Sequence, residues 1–556
     1  MIKENFIQLY ADSFIKNWEL PAVSDYHGDT FSYGEMAEQI ARLHIVLEQL
    51  NVQKGDKIAV FGRNSARWCM SFLSVITHGA IVVPILPDFK PDEVHNIVNH
   101  SDSVILFVDK QLMDTLSEES MPAVNAIFAV DDFSVLSASP SDQVRKAHDR
   151  MEELFREKYP DGFSRDDVTF AEVDNKEVVE INYTSGTTGF SKGVVLSANS
   201  LAGNVTYAQR SIELNPGEKM ITVLPLAHCY ANAFDFLFPL TVGVHITILG
   251  KIPATPLLLK AFDEVKPHLV MFIPLFLEKM YKKRLLPTIS KGPMKALLAV
   301  PGVRNILYGV IRKKLIKSFG GRFREIVLGG APLSAEVEAF YRKIRFPFTI
   351  GYGMTECGPL ISYDGYRTSR QGSAGKMLDI MELRIDSGDP YHEVGEILVR
   401  GENLMEGYYK NDEATRNAID EEGWLHTGDL GVTDKEGYVY IKGRSKSMLL
   451  GPSGQNIYPE EIEARLNNLP YIAETVVLMN ENHKLEVLVH PDMDAAEADG
   501  VKDRLKELME ENRKMINQEL KGYENIFRIH IHEKEFEKTP KKSIKRFLYS
   551  LDDLKK

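Results

Sequence analysis

A stretch rich in hydroxyls and glycines is the clearest indication of chemistry in this chain. It reads YTSGTTGFSKG, and it supplies hydroxyls, flexible backbone and one cation from Thr184, Ser185, Gly186, Thr187, Thr188, Gly189 and Lys192. Glycines let backbone N–H groups approach an anion closely, and the lysine adds a positive charge. The lysine precedes the last glycine, so this is not the G-x-x-x-x-G-K-[ST] pattern of a P-loop. A flexible linker is the alternative, but the combination favours a loop that holds phosphates.

The elements around this loop are those of a parallel α/β sheet. An apolar run at 178–183 predicts a buried strand before the loop, and a helix is expected after Ser197. Further buried strands are predicted where short apolar runs recur, at 57–62, 79–86, 103–108, 219–224, 245–249, 268–272 and 325–328. Helical patterns separate these runs, and the first two enclose a helix at 64–78. The alternation predicts a large α/β domain with helices on its sheets.

The sequence pattern changes in the second half of the chain. From residue 381 onward, short strand patterns alternate with turns, which predicts a β-rich subdomain. A smaller α+β unit follows, with a helix expected over 501–520. We therefore expect an N-terminal domain of mixed or parallel sheets over residues 1–443 and a small C-terminal domain over 444–556. A polar segment at 137–167 is expected to be a surface insertion with its own helix.

Composition excludes several classes of protein. The formal charge of −13 over 556 residues argues against nucleic acid as a partner. The three cysteines have neither disulfide nor metal-site spacing, which is typical of a reducing compartment. The first 20 residues lack the unbroken apolar region of a signal peptide, and the apolar stretch 221–250 is interrupted by Asp235, two histidines and two prolines. A soluble, cytoplasmic protein is expected.

One segment departs from this acidic balance. Residues 279–324 contain 13 Lys and Arg and no Asp or Glu. Within it, Tyr308, Ile311, Leu315 and Phe319 recur at helical spacing. Basic amphipathic helices can lie on anionic membrane surfaces. Peripheral membrane contact through this segment and a surface helix docked on the domain are both left open.

Five motifs in order resemble the signatures of one family. They are YTSGTTGFSKG at 183–193, GGAPL at 329–333, GYGMTECGPL at 351–360, WLHTGDLG at 424–431 and GRSKSMLLGPSGQNIYPEEIE at 443–463. These resemble the AMP-forming acyl-CoA synthetases of the adenylate-forming superfamily, which also contains luciferases and peptide-synthetase adenylation domains. The resemblance implies that a carboxylate attacks the α-phosphate of ATP, giving an acyl-adenylate and pyrophosphate. The thiol of coenzyme A then displaces AMP.

The resemblance also implies roles at the phosphate end of the nucleotide. The loop from Thr184 to Gly189 and Lys192 would hold the phosphates. Glu356 matches the family's Mg²⁺ ligand, and Thr355 matches the hydroxyl that contacts the α-phosphate. Two anions meet in the first step, so neutralising charge is the main demand on the site. By itself, Glu356 could also be an ordinary surface charge.

At the nucleoside end, the resemblance implies that Tyr352 stacks on adenine beside the backbone of Gly330 and Ala331. Asp429 would accept both ribose hydroxyls, and Arg444 would lie near the same sugar. By itself, Asp429 could be a turn residue.

His228 would line the carboxylate and acyl site. A lone histidine in an apolar stretch is more often a satisfied core residue. Ala231, Phe234, Phe236 and Leu237 could line an acyl pocket or be plain core.

Motion of the small domain is implied by the resemblance as well. It would rotate about Lys446 between the two half-reactions, so two orientations serve two transition states. Family members also carry a lysine near the C-terminus that reaches the α-phosphate. The matching stretch here is TPKKSIKRF, with Ser543 at the expected position. Lys542 is the first candidate for this role, a weakened adenylation step is second, and Lys545 is third; Lys541 is the remaining neighbouring cation.

The acid is identified less directly than the reaction. The basic segment and the motif GEILVRGENLMEGYYKNDEATRNAIDEEGWLHTGDLG resemble the long-chain fatty acid–CoA ligase branch. This favours a medium-to-long-chain fatty acid as substrate, with ATP, Mg²⁺ and coenzyme A. Another acid, such as an aryl acid, or a carrier-protein phosphopantetheine as acceptor is the first alternative. A nucleotide-binding homologue without catalysis, acting as a regulator or scaffold, is the second.

Overall fold

The computed structural model describes residues 1–184, 191–250, 255–450, 456–539 and 544–551. Its strands, in chain order, are β1 (Pro21–Asp25), β2 (Thr30–Ser32), β3 (Lys57–Phe61), β4 (Ile81–Ile85), β5 (Ser103–Val108), β6 (Ala126–Ala129), β7 (Val178–Thr184), β8 (Lys192–Ser197), β9 (Lys219–Thr222), β10 (His245–Ile248), β11 (Leu269–Phe272), β12 (Glu325–Leu328), β13 (Phe348–Ile350), β14 (Tyr352–Gly353), β15 (Leu360–Tyr363), β16 (Lys376–Met377), β17 (Met381–Asp386), β18 (Gly395–Gly401), β19 (Gly407–Tyr408), β20 (Leu425–Thr433), β21 (Val439–Arg444), β22 (Leu449–Leu450), β23 (Asn456–Ile457), β24 (Ile472–Met479), β25 (Leu485–Pro491) and β26 (Ile526–Ile531).

The α-helices, in chain order, are α1 (Phe6–Lys16), α2 (Tyr33–Gln49), α3 (Ala66–His78), α4 (Pro91–His100), α5 (Lys110–Met113), α6 (Asp142–Asp149), α7 (Met151–Lys158), α8 (Ala198–Ser211), α9 (Cys229–Ala231), α10 (Phe238–Thr241), α11 (Thr255–Val265), α12 (Pro274–Met280), α13 (Leu286–Ile289), α14 (Gly292–Ala299), α15 (Pro301–Ser318), α16 (Ala335–Lys343), α17 (Asp412–Ala418), α18 (Pro459–Leu466), α19 (Met493–Ala498) and α20 (Leu505–Asn517). Two π-helical turns, Asn232–Leu237 and Tyr281–Leu285, continue α9 and α12.

Two seven-stranded sheets form most of the larger unit. The first has the order β13-β12-β11-β9-β10-β1-β2 and is parallel except for the β1/β2 pair. The second has the order β19-β8-β7-β4-β3-β5-β6, with antiparallel pairs only where β8 joins β7 and β19. A four-stranded antiparallel sheet, β17-β18-β20-β21, is the β-rich part. The predicted mixed α/β fold class is confirmed.

The unit β3–α3–β4 shows how the sequence sets these elements. The Ser65 side chain accepts a hydrogen bond from Trp68 N and begins α3, and Gly79 ends it with a φ of 91°. β3 and β4 then pair in parallel, as predicted. The other apolar runs form β5, β9, β10, β11 and β12. The insertion at 137–167 carries two helices, α6 and α7, where one was expected.

The hydroxyl-rich loop connects two antiparallel strands. The helix expected after Ser197 is α8, but the strand β8, which was not predicted, lies between the loop and this helix, and Thr184 pairs with Lys192 across the β7/β8 hairpin. Val194 and Leu196 of β8 are fully buried, and this burial holds the strand in the second sheet. Lys192 therefore belongs to a strand of the sheet. Loop residues 185–190 lie outside the described residues.

The smaller unit has its own apolar core. This core is built from β24, β25, β26 and the inner faces of α18 and α20, and it is separate from the large core that runs from Phe6 to Val439. The helix predicted over 501–520 is α20, preceded by a short 3₁₀ turn. Contacts between described residues of the two units include Lys442, which lies 3.5 Å from Glu461, and Lys282, whose Nζ donates to Asn467 O. The boundary at 443/444 stays a prediction.

The basic segment forms α12 to α15. The face predicted from Tyr308, Ile311, Leu315 and Phe319 packs against the large core, so this face of α15 is docked on the domain and cannot be the membrane-facing one. Among the described residues, no single helix is long and apolar enough to cross a membrane, although α14 and α15 together meet that criterion across a bend of 118°.

Candidate active site

The predicted site residues gather at one edge of the first sheet. His228 follows β9, Gly330 and Ala331 follow β12, and Tyr352 follows β13. β9, β12 and β13 lie in one half of that sheet and are parallel within it. Because the carboxyl ends of parallel strands meet at one edge, these residues are brought together from distant parts of the sequence. In open α/β sheets this edge is where ligands bind.

Asp429 joins Tyr352 and Arg444 into one cluster. The Tyr352 hydroxyl donates a hydrogen bond of 2.7 Å to Asp429 Oδ2, and Arg444 Nε lies 3.0 Å from Asp429 Oδ1. Asp429 and Arg444 face each other across the β20/β21 pair. Asp429 is 4% exposed and lies in a strand, so the alternative of a plain turn residue is wrong.

The electrostatics of this cluster follow from its burial. Burial raises the pKa of Asp429, while Arg444 and the Tyr352 hydroxyl act in the opposite direction. The Arg444 side chain is 61% exposed, so its charge is partly screened by solvent. Glu356 and Glu460 also raise the pKa of Asp429. Arg444 and the Tyr352 hydroxyl favour the ionised carboxylate, which is the form that accepts hydrogen bonds from a polar ligand.

A second cluster surrounds Glu356. The Tyr408 hydroxyl donates a hydrogen bond of 2.8 Å to Glu356 Oε1, and Lys192 Nζ lies 4.7 Å from the centre of the Tyr408 ring. Tyr408 is held by β19, which pairs with β8 so that Tyr408 lies opposite Val194. Burial and Glu356 raise the pKa of Tyr408, which therefore stays a hydrogen-bond donor. Tyr408 thus connects Lys192, in the β7/β8 hairpin, to the carboxylate of Glu356.

Thr355 and His228 extend this cluster. Thr355 is buried, and its Oγ1 lies 3.3 Å from the sulfur of Cys229. His228 caps α9, where its Nδ1 accepts a hydrogen bond of 3.2 Å from Tyr230 N. A neutral His228 therefore carries its proton on Nε2.

The GGAPL stretch needs glycine for two different reasons. A Cβ on Gly329 would lie 3.0 to 3.2 Å from the ring of Tyr230, so a larger residue would require this ring to move by a few tenths of an ångström. The Tyr230 hydroxyl in turn donates to Val327 O over 3.0 Å. Gly330 has a φ of 81°, which L-amino acids with side chains rarely adopt. Gly330 and Ala331 are exposed, so their backbone is available to a ligand.

Several predicted residues lie outside the described part of the chain. They are Ser185, Gly186, Thr187, Thr188 and Gly189 of the loop, and Lys541, Lys542 and Ser543 near the C-terminus. Thr184 and Lys192 flank the loop, and Lys446 is exposed in a 3₁₀ turn after β21.

The described end of TPKKSIKRF makes contacts within the small unit. Arg546 Nη1 donates to both carboxylate oxygens of Glu463, each over 2.6 Å. Lys545 Nζ lies 3.9 Å from Glu537. The assignment of the catalytic lysine stays a prediction.

Sequence reasoning missed Tyr408 and Glu460. Tyr408 lies in GYYK, where nothing but its pairing with β8 marks it. Glu460, on α18 of the small unit, contributes to the field at Asp429 and has a buried Oε2 without a hydrogen-bond partner among the described residues. Neither residue type nor local pattern could have revealed them, because both contacts join elements far apart in the sequence.

The carboxylate of Glu356 is compatible with a divalent cation that enters the site bound to phosphates. No group of three or more His, Cys, Asp or Glu within the described ranges could hold a metal alone. Mg²⁺ commonly uses one or two carboxylates plus substrate phosphates and waters. Glu356 fits that pattern, because Tyr408 is the sole described hydrogen-bond partner of its carboxylate. It is only half-buried, so a ligand can reach it.

Comparisons with known proteins agree with this arrangement. The model of the AMP-binding enzyme family matches residues 15–409, and that of the AMP-binding enzyme C-terminal domain matches 447–550. The long-chain-fatty-acid–CoA ligase FadD15 of Mycobacterium bovis is 29% identical over 488 residues, which cover 83% of this chain and 77% of FadD15. The 4-coumarate–CoA ligase 2 of Petroselinum crispum is 27% identical over 470 residues, covering 81% of this chain and 77% of the plant enzyme.

Solved structures show the same fold. The anthranilate CoA ligase AuaEII, crystallised with anthranoyl-AMP, superposes with a TM-score of 0.77 at 20% identity, over 98% of this chain and 96% of that one. The family match covers more than half of the chain and includes the cluster of Lys192, Tyr408 and Glu356. The chain therefore belongs to the AMP-binding enzyme family and is an AMP-forming acid–CoA ligase of the adenylate-forming superfamily.

Proposed function

We propose that this ligase activates a medium-to-long-chain fatty acid with ATP and Mg²⁺ and transfers the acyl group to coenzyme A. The observation that carries the proposal is the linked cluster of Lys192, Tyr408 and Glu356, in which Glu356 directly follows the buried Thr355. It combines a cation, a carboxylate and a buried hydroxyl, as a site for a triphosphate and its metal requires.

In the first half-reaction, the carboxylate oxygen of the acid attacks the α-phosphate and pyrophosphate leaves. Lys192 offsets negative charge on the phosphates, and Thr355 donates its hydroxyl to them. Glu356 would hold Mg²⁺, which when bound supplies further neutralisation of phosphate charge. Since the reactants are both anions, holding them together supplies most of the rate enhancement. No nucleophile from the protein is needed.

The nucleoside end is held by the cluster around Asp429. Asp429 accepts the ribose hydroxyls, and Arg444 lies close enough to contact the same sugar. Tyr352 is 8% exposed and is hydrogen-bonded to Asp429, so its ring is held in a fixed orientation for stacking on adenine. The exposed backbone of Gly330 and Ala331 lies on the same edge of the sheet.

Transfer to the thiol requires a second surface over the adenylate. The exposed Lys446 lies directly after β21, between the large core and the core of the small unit, where rotation disturbs little packing. A lysine of the small unit, with Lys542 as first candidate, stabilises the first transition state and leaves when this unit rotates.

The choice of a fatty acid rests on the relatives and on the lining near His228. FadD15 is a fatty acid–CoA ligase, but the similarly related plant enzyme is named for coumarate. Phe236 packs edge-to-face on Phe72 at 5.4 Å and belongs to the core, so it does not line a pocket. Phe234 is buried in the same core, whereas Tyr230, two residues after His228 and only partly buried, has its ring centre 6.1 Å from that of Phe234 and presents an apolar ring for an acyl chain.

A panel of acids tests the proposal. Pyrophosphate release is measured with acetate, octanoate, palmitate, coumarate and anthranilate, with coenzyme A or a phosphopantetheinylated carrier protein as acceptor. The largest kcat/KM is expected with octanoate or palmitate and coenzyme A. Preference for an aryl acid or for the carrier protein would support the first alternative. ATP binding without pyrophosphate release from any acid would support a non-catalytic homologue.

A further inference from the structure

Two helices of the basic segment are almost entirely outside the core. We call α14 and α15 the basic hairpin. In its 26 residues only one side chain, Leu315, is buried. Large apolar side chains are exposed on both sides of its bend: Leu297, Val300, Ile306 and Val310, of which Ile306 is 69% exposed. Such a concentration of exposed apolar residues is typical of an interaction surface.

The charge of the basic hairpin contrasts with that of the whole chain. The hairpin has six Lys and Arg and no acidic residue, whereas the protein has a formal charge of −13. None of the six cations forms a salt bridge with an acidic residue in the described ranges. Cations that the fold leaves unpaired next to exposed apolar residues fit a partner with a negative surface and an apolar interior.

The two kinds of side chain are arranged in order along one face of α15. Ile306 and Val310 lie at helical spacing with Lys313 and Lys317, and all four are exposed. Ile306 is nearer the bend, and Lys313 lies about 10 Å farther along the helix axis. Interfacial helices bury their apolar residues about 5–10 Å below the headgroups. The spacing thus allows the bend to enter a bilayer while these lysines stay at the phosphates.

We propose that the basic hairpin inserts its bend into the interface of an anionic lipid bilayer. Its inner face, with Tyr308 and Leu315, is occupied by the core, so the outer face is the one that contacts lipid. Arg304, close to the bend, has a side chain long enough to extend its guanidinium toward the headgroups. The contact is peripheral, because cations distributed along α15 oppose a spanning orientation.

Binding of the full-length protein to vesicles tests this proposal. Co-sedimentation is measured with vesicles of phosphatidylglycerol and phosphatidylcholine, and with phosphatidylcholine alone. The double variant Ile306→Gln/Val310→Gln tests the apolar contribution, and Lys313→Gln/Lys314→Gln/Lys317→Gln tests the charges. The matched controls are Met515→Gln, an exposed apolar side chain of α20, and Lys506→Gln/Lys514→Gln/Lys534→Gln, three exposed lysines of the small unit.

The wild type is expected to bind the anionic vesicles and to release them as salt is raised. Each lysine near an anionic surface contributes about fivefold in affinity, so the triple variant should bind about 100-fold more weakly at low salt. Each apolar side chain should contribute about tenfold. The controls should change binding by less than about twofold, and none of the variants should change the melting temperature appreciably.

An inserted probe gives a readout that a surface charge effect cannot mimic. Trp18, Trp68 and Trp424 all lie outside the basic hairpin. In Ile306→Trp, the emission of the new tryptophan should shift to the blue with anionic vesicles and be quenched by brominated lipid.

Three results would overturn the proposal. The first is absence of binding to anionic vesicles. The second is equal loss of binding in the hairpin and control variants. The third is a concentration-dependent dimer that Ile306→Gln/Val310→Gln dissociates without vesicles being involved, which would make this surface a protein interface. The assay needs neither ATP nor an acid, so it succeeds or fails independently of the proposed substrate.

Discussion

Replacing Tyr408 by phenylalanine removes one hydroxyl and leaves the ring that Lys192 approaches. In the structure this hydroxyl donates to Glu356 Oε1 over 2.8 Å, whereas Lys192 lies 4.7 Å from the ring centre. Tyr408→Phe therefore separates the orientation of Glu356 from the placement of Lys192. A catalytic role for Glu356 requires that its carboxylate keep one orientation while nucleotide binds.

The magnitude follows from the kind of hydrogen bond. A hydrogen bond to a charged group contributes about 1.5–3 kcal/mol, which corresponds to roughly 10- to 100-fold in rate if the bond is needed in the transition state. We expect pyrophosphate release to slow by that factor and the Mg²⁺ concentration for half-maximal rate to rise. Tyr408→Leu also removes the ring and should be slower still, because Lys192 loses its cation–π contact.

The assay measures the half-reactions separately. Pyrophosphate release reports adenylation, and thioester formation from added acyl-adenylate reports thiol transfer, which should change by less than about threefold. Tyr409→Phe is the matched control, since the neighbouring hydroxyl donates to Asp102 over 2.9 Å at the surface. A Tyr408→Phe enzyme that adenylates at the wild-type rate, or that resembles Tyr409→Phe in Mg²⁺ requirement, would show that the Tyr408 hydroxyl does not orient Glu356.

Three further changes test other parts of the account. Asp429→Asn should raise the KM for ATP about 10- to 100-fold and leave the KM for the acid unchanged in initial-rate measurements, because it weakens only the nucleoside contacts; an unchanged KM for ATP would contradict this. Burial raises the pKa of Glu180 to about 7, against about 4.3 in the unfolded chain, so the folded state holds a proton that the unfolded state releases. Stability should therefore fall as pH rises from about 4 to 7, by about 3 kcal/mol, and thermal melts of Glu180→Gln should show less of this loss. Arg546→Leu leaves the buried Glu463 without its ion-pair partner and should lower the free energy of unfolding by about 3–5 kcal/mol. The control Lys545→Leu should change it by less than about 1 kcal/mol in the same thermal melts. Equal effects of the two variants would show that the Arg546–Glu463 pair is unimportant.

Much of the fold could be predicted because its strands are short apolar runs. Residues 103–108 and 325–328 form β5 and β12 with the predicted bounds, since both strands are buried and are apolar after their first residue. β8 was missed because the hydroxyl-rich loop resembles a connection to a helix. Only pairing with β7 and β19 makes residues 192–197 a strand.

The candidate site was predictable as a set of residues but not as a set of contacts. The order of the motifs indicated Lys192, Glu356 and Asp429, but it could not show which of them touch. That Tyr408 links Lys192 to Glu356 depends on β19 joining the edge of the second sheet. Likewise, the hydrogen bond from Tyr352 to Asp429 joins residues 77 positions apart. Such contacts are set by sheet topology, which local sequence patterns do not specify.

For the basic segment, a docked surface helix and membrane contact were both left open. Helical spacing correctly identified one apolar face of α15, but that face packs on the core. The exposed apolar residues lie on the other side and around the bend at Val300. Residue spacing identifies an apolar face of a helix, but it does not show whether that face packs on the core or stays exposed. Tertiary packing decides which face is available to a partner.

The most direct test of the central claim follows the oxygen of the acid. If the carboxylate attacks the α-phosphate, a C–O bond of the acid breaks only when the thiol displaces AMP, so one carboxylate oxygen must leave with AMP. Palmitate labelled with ¹⁸O in its carboxylate is incubated with the enzyme, ATP, Mg²⁺ and coenzyme A, and the products are analysed by mass spectrometry. If the carboxylate attacks the α-phosphate, AMP will contain one ¹⁸O and pyrophosphate will contain none. Label in inorganic phosphate or pyrophosphate, with AMP unlabelled, would contradict it.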